Sequence, residues 1–161
     1  MKSGSITVGI LLGACLLLQN CGVTESESSA DLVGTWIKRD PPLSENPSIH
    51  SALEIALFPS QEFEMTGKFF HVPTGILLGY TFVVDGRYTI ASDSLTMTTE
   101  KQAILENIDS SYSTEKPTPL PITPESVTVV YAIDGNRLTL TYPPCGPTEN
   151  CVGTLTFERK K

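Results

Sequence analysis

Hydrophobic and polar residues alternate with a period of two over most of the chain between Leu32 and Glu158. In the clearest run, Phe63, Met65 and Phe69 fall on one face, and most of the residues between them are polar or charged. Such alternation is typical of a β-strand with one buried and one solvated face. Similar runs, rich in β-branched and aromatic residues, predict eight or nine antiparallel strands.

Short polar turns separate these runs. Asp85-Gly86 and Asp134-Gly135 each lie between two alternating segments, which is typical of a tight hairpin. Residues 88–98 and 131–141 share the order Tyr-x-Ile, four turn residues and Leu-Thr-apolar-Thr. The shared order predicts two equivalent hairpins, and we assign it no chemistry.

Three stretches interrupt the alternation. Residues 41–51 are predicted to form a polar loop, which contains three prolines. Residues 99–108 have capping-box spacing at Thr99 and Gln102, but they fit a strand equally well, so both predictions stay open. Residues 109–124 contain four prolines, whose spacing favours an extended and solvated backbone. We therefore expect a long loop there, and a loop of that length in a compact domain is functional or mobile.

A sheet of eight or nine antiparallel strands must dispose of its edges, because exposed edges pair with other chains. Closing the sheet on itself removes the edges. We therefore predict an all-β, up-and-down antiparallel barrel with at most one short helix. An eight-stranded barrel has an interior that is either filled by side chains or just wide enough for one small ligand.

The N-terminal twenty residues differ from the rest. Lys2 is their only charge, and the segment from Ile6 to Leu18 is almost wholly apolar, yet shorter than the ~20 residues that span a bilayer. This pattern is typical of a secretory signal peptide. We therefore divide the chain into a signal peptide at 1–20, a polar tether at 21–30 and the β domain at 31–161.

Two cysteines lie at the end of the apolar segment. Leu12-Gly13-Ala14-Cys15 resembles a bacterial lipobox, and Leu18-Gln19-Asn20-Cys21 resembles its laxer form, in which the cysteine is acylated after export. Acylation at Cys15 would leave three leucines at the mature N-terminus, whereas Cys21 is followed by a polar leader. We therefore expect lipid attachment at Cys21, with Cys15 as the alternative. The resemblance implies a lipoprotein of the bacterial cell envelope, anchored in the outer membrane on its periplasmic or surface side by palmitate-like chains.

The other two cysteines, Cys145 and Cys151, then remain as a pair in an oxidising compartment, where we expect a disulfide. Their spacing is not the Cys-x-x-Cys of redox proteins, although a redox pair is the alternative.

Charge and composition exclude several classes of function. The net charge of −7 becomes −8 when Lys2 is removed, which argues against nucleic acid as a partner. The only histidines are His50 and His71, and their surroundings lack the spacing of a metal site. No phosphate-binding loop or nucleophile elbow is present. We therefore predict no enzymatic activity, no metal and no cofactor.

Gly34-Thr35-Trp36, at the start of the first predicted strand, resembles the Gly-x-Trp signature of lipocalins. Residues 155–159 resemble the last strand of small bacterial lipocalin-like domains, and the resemblance covers 31–161. It implies a barrel whose narrow end is closed by Trp36, with a basic residue stacked on the ring. Arg159 has the parity for that position, so we expect Gly34, Trp36 and Arg159 to meet. The proline-rich stretch and the lack of a recognisable C-terminal helix depart from the family pattern.

The predicted inner face is rich in aromatic residues, which suggests a binding module for a small apolar molecule or lipid. The same rings could instead simply fill the barrel. A second hypothesis is a cell-envelope interaction protein, in which the barrel is a scaffold and the loop at 109–124 binds a protein partner. The candidate ligand-facing residues are Phe63, Phe69, Tyr80, Phe82, Tyr88 and Tyr131.

Overall fold

A computed structural model describes residues 28–105, 113–146 and 152–161, which form one short helix and eight antiparallel strands. The strands pair in chain order and close into a barrel, which confirms the predicted class. The elements are α1 (Ser28–Leu32), β1 (Gly34–Pro42), β2 (Ile49–Leu57), β3 (Glu62–His71), β4 (Leu77–Ala91), β5 (Ser94–Ile104), β6 (Leu120–Asp134), β7 (Arg137–Thr141) and β8 (Thr154–Arg159).

The first and last strands close the barrel. Trp36 pairs with Arg159 and Ile37 pairs with Glu158, so β1 has β2 on one side and β8 on the other. Within the described residues every strand therefore pairs with two neighbours, so none is an edge strand of an open sheet.

The two ends of the barrel differ. At one end α1 lies against the sheet, Leu32 is fully buried, and the Trp36 indole Nε1 donates a 2.9 Å hydrogen bond to the Leu32 carbonyl. We call this the closed end, and we call the other the open end. The strand ends at Pro42 and His71 lie at the open end, as do the starts of β6 and β8. The buried core fills the closed end and consists of Leu32, Trp36, Ile55, Leu57, Phe63, Tyr88, Leu95, Met97, Val129, Tyr131, Leu138, Leu140 and Phe157.

One of the two predicted Asp-Gly turns is wrong. Asp134-Gly135 does form the β6–β7 turn, with Gly135 at φ +57°. Asp85-Gly86, however, lies inside the fifteen-residue β4, and this is why the strands number eight. A Cβ on Gly86 would lie 2.0 Å from the Thr98 carbonyl oxygen and 2.8 Å from the Phe63 ring. Glycine is required there for close packing beside a bulge rather than for a turn.

The helix considered for residues 99–108 is wrong over its described part, because β5 continues to Ile104. β5 pairs with the long strand β4 as far as Phe82. This pairing satisfies the backbone of β5 as a strand, although its sequence carries a capping-box spacing. The predicted loop at 109–124 is too long, because β6 begins at Leu120. Pro121 can sit there because its missing N–H falls beside an irregularity in the β5–β6 pairing.

The signal peptide, Cys15 and Cys21 lie outside the described residues. The short helix α1 begins at Ser28, within the range predicted as the tether.

Candidate functional site

Arg159 and Trp36 seal the closed end. The Arg159 guanidinium carbon lies 4.2 Å from the centroid of the Trp36 ring, so the contact expected from the sequence is present. Arg159 also donates hydrogen bonds to the carbonyls of Val33, at 3.0 Å, and Asp31. Gly34 has φ +140°, and a Cβ there would lie 2.8 Å from Arg159 Nη1. The glycine of the Gly-x-Trp sequence thus makes room for the arginine.

Three of the candidate ligand-facing rings belong to the packed core of the closed end. Phe63, Tyr88 and Tyr131 are all buried within the core. The Tyr88 hydroxyl donates a 2.7 Å hydrogen bond to the Phe58 carbonyl, and burial raises the pKa of this tyrosine. The Tyr131 hydroxyl donates to the Ser92 carbonyl at 3.3 Å. Each tyrosine hydroxyl therefore holds the backbone of a neighbouring turn.

The open end leads into a cavity of about 380 Å³ inside the barrel. Phe69 and Phe82, both candidates from the sequence, line it. The lining residues come from β1, β2, β3, β4, β8 and the β7–β8 connection, and more than half of them are apolar. These further side chains include Leu53, Met65, Tyr142, Val152 and Leu155. The Tyr142 hydroxyl is neutral at physiological pH, because the ordinary pKa of tyrosine is about 10 and burial raises it further.

Tyr80 does not face the cavity, which corrects the prediction. Gly67 pairs with Phe82, but the next residue, Lys68, pairs with Tyr80, so Thr81 is an extra residue in β4. This bulge reverses the facing of Tyr80 relative to a regular strand. The ring lies on the outer face, where the Lys68 ammonium is 5.5 Å from its centroid.

Three of the polar side chains on the cavity wall form one hydrogen-bonded group, and the sequence did not predict it. Lys38 forms an ion pair with Asp40, and the Ser51 hydroxyl donates a 2.6 Å hydrogen bond to the second oxygen of Asp40. Burial alone would raise the pKa of Asp40, but the hydrogen bonds from Lys38 and Ser51 and the lysine charge hold it below its usual value. We call these residues the polar group. Their i, i+2 spacing on β1 was the available signal, but it resembles an ordinary solvated strand end.

Exposed apolar residues surround the mouth of the cavity. Of the large hydrophobic side chains that are exposed in the described residues, most lie where strands begin or end at the open end. We call them the rim: Val72, Ile76, Ile104, Leu120 and Val152. Exposed large apolar side chains that gather at one end of a fold are candidates for a binding surface.

The outer face of β2 and β3 carries a charged cluster. Glu54 accepts hydrogen bonds from Lys68, at 2.9 Å, and Lys160, at 2.8 Å, and it is largely buried between them. Burial raises the pKa of Glu54, but the two lysines outweigh this effect and the pKa lies below its usual value. The cluster ties the chain terminus to the middle of the sheet.

A second cluster lies beneath the described part of the proline-rich stretch. The Ser113 carbonyl accepts a 3.1 Å hydrogen bond from the Tyr80 N–H, and Lys116 pairs with Glu64. Asp85, the cross-strand neighbour of Glu64, has a buried Oδ1 that accepts no hydrogen bond from the described residues. Burial, and then the charge of Glu64, raise the pKa of Asp85. This segment therefore contacts the outer wall of the barrel.

Cys145 is disulfide-bonded, and Cys151 lies outside the described residues, so their pairing stays a prediction. Within 28–105, 113–146 and 152–161, no group of three or more His, Cys, Asp or Glu residues could hold a metal ion. In the same ranges, no helix has the length and apolar character needed to cross a membrane.

The fold and the site together define a class of protein: a closed eight-stranded antiparallel barrel, packed at one end and open to an apolar cavity at the other. Comparisons of the chain with protein-family models, with curated proteins and with solved structures gave no match.

Proposed function

We propose that this protein is a membrane-anchored, lipocalin-like lipoprotein that binds one small apolar ligand or lipid in the open end of its barrel. The observation that carries the proposal is the cavity between Phe69 and Phe82, whose lining is mostly apolar. Its volume of about 380 Å³ lies within the ~300–1,000 Å³ typical of small-molecule sites.

The rim supports the same proposal. Apolar side chains usually avoid water, yet Ile76, Ile104 and Leu120 are each more than half exposed at the mouth. An apolar ligand that leaves a membrane or a carrier would meet this surface before the cavity. Burying the rim against a ligand or its donor would be favourable by roughly 25 cal/mol per Å² of apolar area.

The lipocalin-like part of the proposal rests on the closed end. The Gly34-Thr35-Trp36 sequence, the stacked Arg159 and the up-and-down order of eight strands are the features that this family resemblance leads one to expect. A barrel that is sealed at one end by packed side chains can offer only its other end to a ligand.

The anchor part of the proposal rests on the sequence around Cys21. Only six residues separate Cys21 from α1, so the seven steps from Cys21 to Ser28 could reach at most ~25 Å. Because α1 lies at the closed end, such a tether would hold that end near the membrane. The nine residues of β1 span ~30 Å along the strand, so the mouth would face away from the anchoring membrane.

Ligand binding can be tested with a neutral fluorescent probe such as N-phenyl-1-naphthylamine, added to the purified full chain after removal of co-purified lipid. We expect saturable binding that Phe82→Trp weakens by reducing the free volume of the cavity. Phe58→Trp is the matched control, because Phe58 is an exposed residue of the β2–β3 turn at the closed end. Equal binding by the two variants, or no saturable binding by the unaltered chain, would refute the proposal.

The anchor can be tested by cell fractionation and acyl labelling. We expect Cys21→Ser to release the protein from membranes or to leave the precursor uncleaved, and Cys15→Ser to do neither. Labelling that survives Cys21→Ser and is lost with Cys15→Ser would move the attachment to Cys15.

We favour ligand binding over recognition of a protein partner by the proline-rich stretch. The described part of that stretch is held on the barrel wall through Ser113 and Lys116, whereas the cavity has an open mouth.

A further inference from the structure

The polar group lies in an otherwise mostly apolar cavity, and its internal pairing restricts which ligand head it can accept. Lys38 supplies one positive charge and Asp40 one negative charge, and the two are already joined as an ion pair. Ser51 is also committed to Asp40. The group therefore has donors and an acceptor to offer but no net charge.

The other ionisable groups that line the cavity leave this balance unchanged. Lys68 contributes to the lining, but its ammonium pairs with Glu54 at 2.9 Å on the outer face. Tyr142 is neutral at pH 7, as tyrosine ordinarily is, and burial raises the pKa of its hydroxyl further. A charged ligand head would therefore enter a partly desolvated site that has no free counter-ion, and this is costly.

We propose that the cavity selects amphiphiles with a neutral, hydrogen-bonding head, such as an alcohol, an amide or a monoacylglycerol, over free fatty acids and alkylamines. The alkyl chain would lie among Leu53, Phe69 and Phe82, and the head would donate to Asp40 and accept from Lys38 without breaking their pair. This inference rests on the proposed function, because it specifies the ligand of the same cavity.

Two substitutions of nearly unchanged shape convert the neutral group into a charged one. Asp40→Asn leaves Lys38 without its counter-ion, so the site gains a positive charge suited to a carboxylate. Lys38→Met leaves Asp40 alone, so the site gains a negative charge suited to an ammonium. Selectivity should therefore move in opposite directions in the two variants, which a general loss of structure could not produce.

The experiment measures displacement of N-phenyl-1-naphthylamine from the full chain at pH 7 by dodecanol, dodecanoate and dodecylamine. For each protein, the Kd of each charged ligand is divided by the Kd of dodecanol, which cancels the contribution of the shared alkyl chain. Each ratio is then compared between a variant and the unaltered chain, which cancels differences in ligand solubility. We expect Asp40→Asn to favour dodecanoate about tenfold more than the unaltered chain does. We expect Lys38→Met to favour dodecylamine by a similar factor, the size of one charge-assisted hydrogen bond.

Matched controls make the same charge changes on the outside of the barrel. Arg87 and Glu100 form an ion pair with 3.5 Å between nitrogen and oxygen, and the Arg87 side chain is 71% exposed. Arg87→Met and Glu100→Gln should leave both ratios unchanged. Circular dichroism of each variant verifies folding, and if Lys38→Met does not fold, Asp40→Asn alone decides.

The outcomes separate this inference from the function on which it rests. If the unaltered chain binds the ligands but Asp40→Asn leaves the dodecanoate ratio unchanged, the polar group is only structural, and the inference fails while the proposed function stands. If the unaltered chain binds dodecanoate or dodecylamine more tightly than dodecanol, the inference is also overturned, because the cavity then does not select a neutral head. If neither the probe nor any of the three ligands binds, the proposed function fails and takes the inference with it.

Discussion

The contact between Trp36 and Arg159 joins residues more than a hundred positions apart, and its removal should weaken the closure of the barrel. Trp36 is fully buried, and truncating a buried tryptophan to alanine costs about 3–5 kcal/mol. The lost hydrogen bond to the Leu32 carbonyl adds about 1 kcal/mol. Because a domain is stable by only ~5–15 kcal/mol, Trp36→Ala should unfold much of the protein.

A double-mutant cycle therefore needs a milder change. Trp36→Leu removes the aromatic face but keeps an apolar side chain, and Arg159→Ala removes the guanidinium. Stacking of an arginine on a tryptophan contributes about 0.5–2 kcal/mol, and this is the coupling that we expect. Arg159→Ala alone should cost more than the coupling, because the hydrogen bonds to the carbonyls of Asp31 and Val33 are lost as well.

Urea unfolding followed by far-UV circular dichroism measures the four stabilities. Intrinsic tryptophan fluorescence cannot follow unfolding, because Trp36 is the only tryptophan and is itself replaced in the cycle. If the double variant is too unstable, all four proteins can be compared in sucrose, which strengthens burial. The control cycle pairs Trp36→Leu with Arg87→Ala, on the exposed face of β4, and should be additive within ~0.3–0.5 kcal/mol. Equal additivity for Arg159 would refute the view that the stacking contact stabilises the closure.

The other predictions concern groups whose environment is unusual. The pKa of Glu54 is lowered in the folded state, so ionised Glu54 stabilises the protein above pH 4.5, its ordinary pKa, and this stabilisation is lost as the pH falls through the folded-state pKa. We therefore expect Glu54→Gln to lower the free energy of unfolding by about 1–2 kcal/mol at pH 7 and by little near pH 3. The pKa of Asp85 is raised in the folded state, so the ionised side chain destabilises the protein at neutral pH and protonation removes this effect. We therefore expect Asp85→Asn to raise the free energy of unfolding by about 1 kcal/mol at pH 7, and the gain should shrink towards pH 4. The opposite pH trends, measured by urea unfolding, would contradict both assignments. Gly86→Ala should destabilise by about 1–3 kcal/mol in the same assay, since its Cβ would overlap the Thr98 carbonyl, whereas Gly135→Ala, which meets no atom within 4 Å, should show only the smaller cost of its positive φ.

The fold class could be predicted because alternation with a period of two is a local property that each strand displays by itself. The closing contact could be predicted for a related reason. Once the strands close in chain order, the first and last must be neighbours, and the parity of Arg159 along β8 directs its side chain inward.

The errors arose where local patterns have two physical meanings. Asp-Gly is a turn signal, yet at Gly86 the small residue makes room for the Phe63 ring within a continuous strand. Tyr80 follows the alternation of its neighbours in sequence, but the bulge at Thr81 reverses its face. A bulge depends on the partner strand, so the sequence of β4 alone does not reveal it.

The polar group was missed for a different reason. Lys38 and Asp40 have the spacing of two residues on one strand face, and charged residues near a strand end are usually solvated. The parity of these residues with Trp36 assigns them to the inner face, but only the structure shows that this part of β1 lines a cavity, with Lys38 opposite Leu53. The ion pair belongs to a candidate binding site because of the face on which it lies, and not because of its residue types.

The division of the barrel into a packed end and an open end follows from the size of the inward side chains. At the closed end the inward positions hold large rings, including Trp36 and Phe157, which leave little space between the strands. Towards the open end the inward positions of β2 and β3 include Ser51 and Gly67, which fill far less of the same cross-section. A Cβ at Gly67 would lie 2.5 Å from the Phe82 ring, so the absence of a side chain there allows that ring to lie against β3. The cavity thus arises from small residues at particular inward positions, and the polar group occupies part of the wall that those residues leave open.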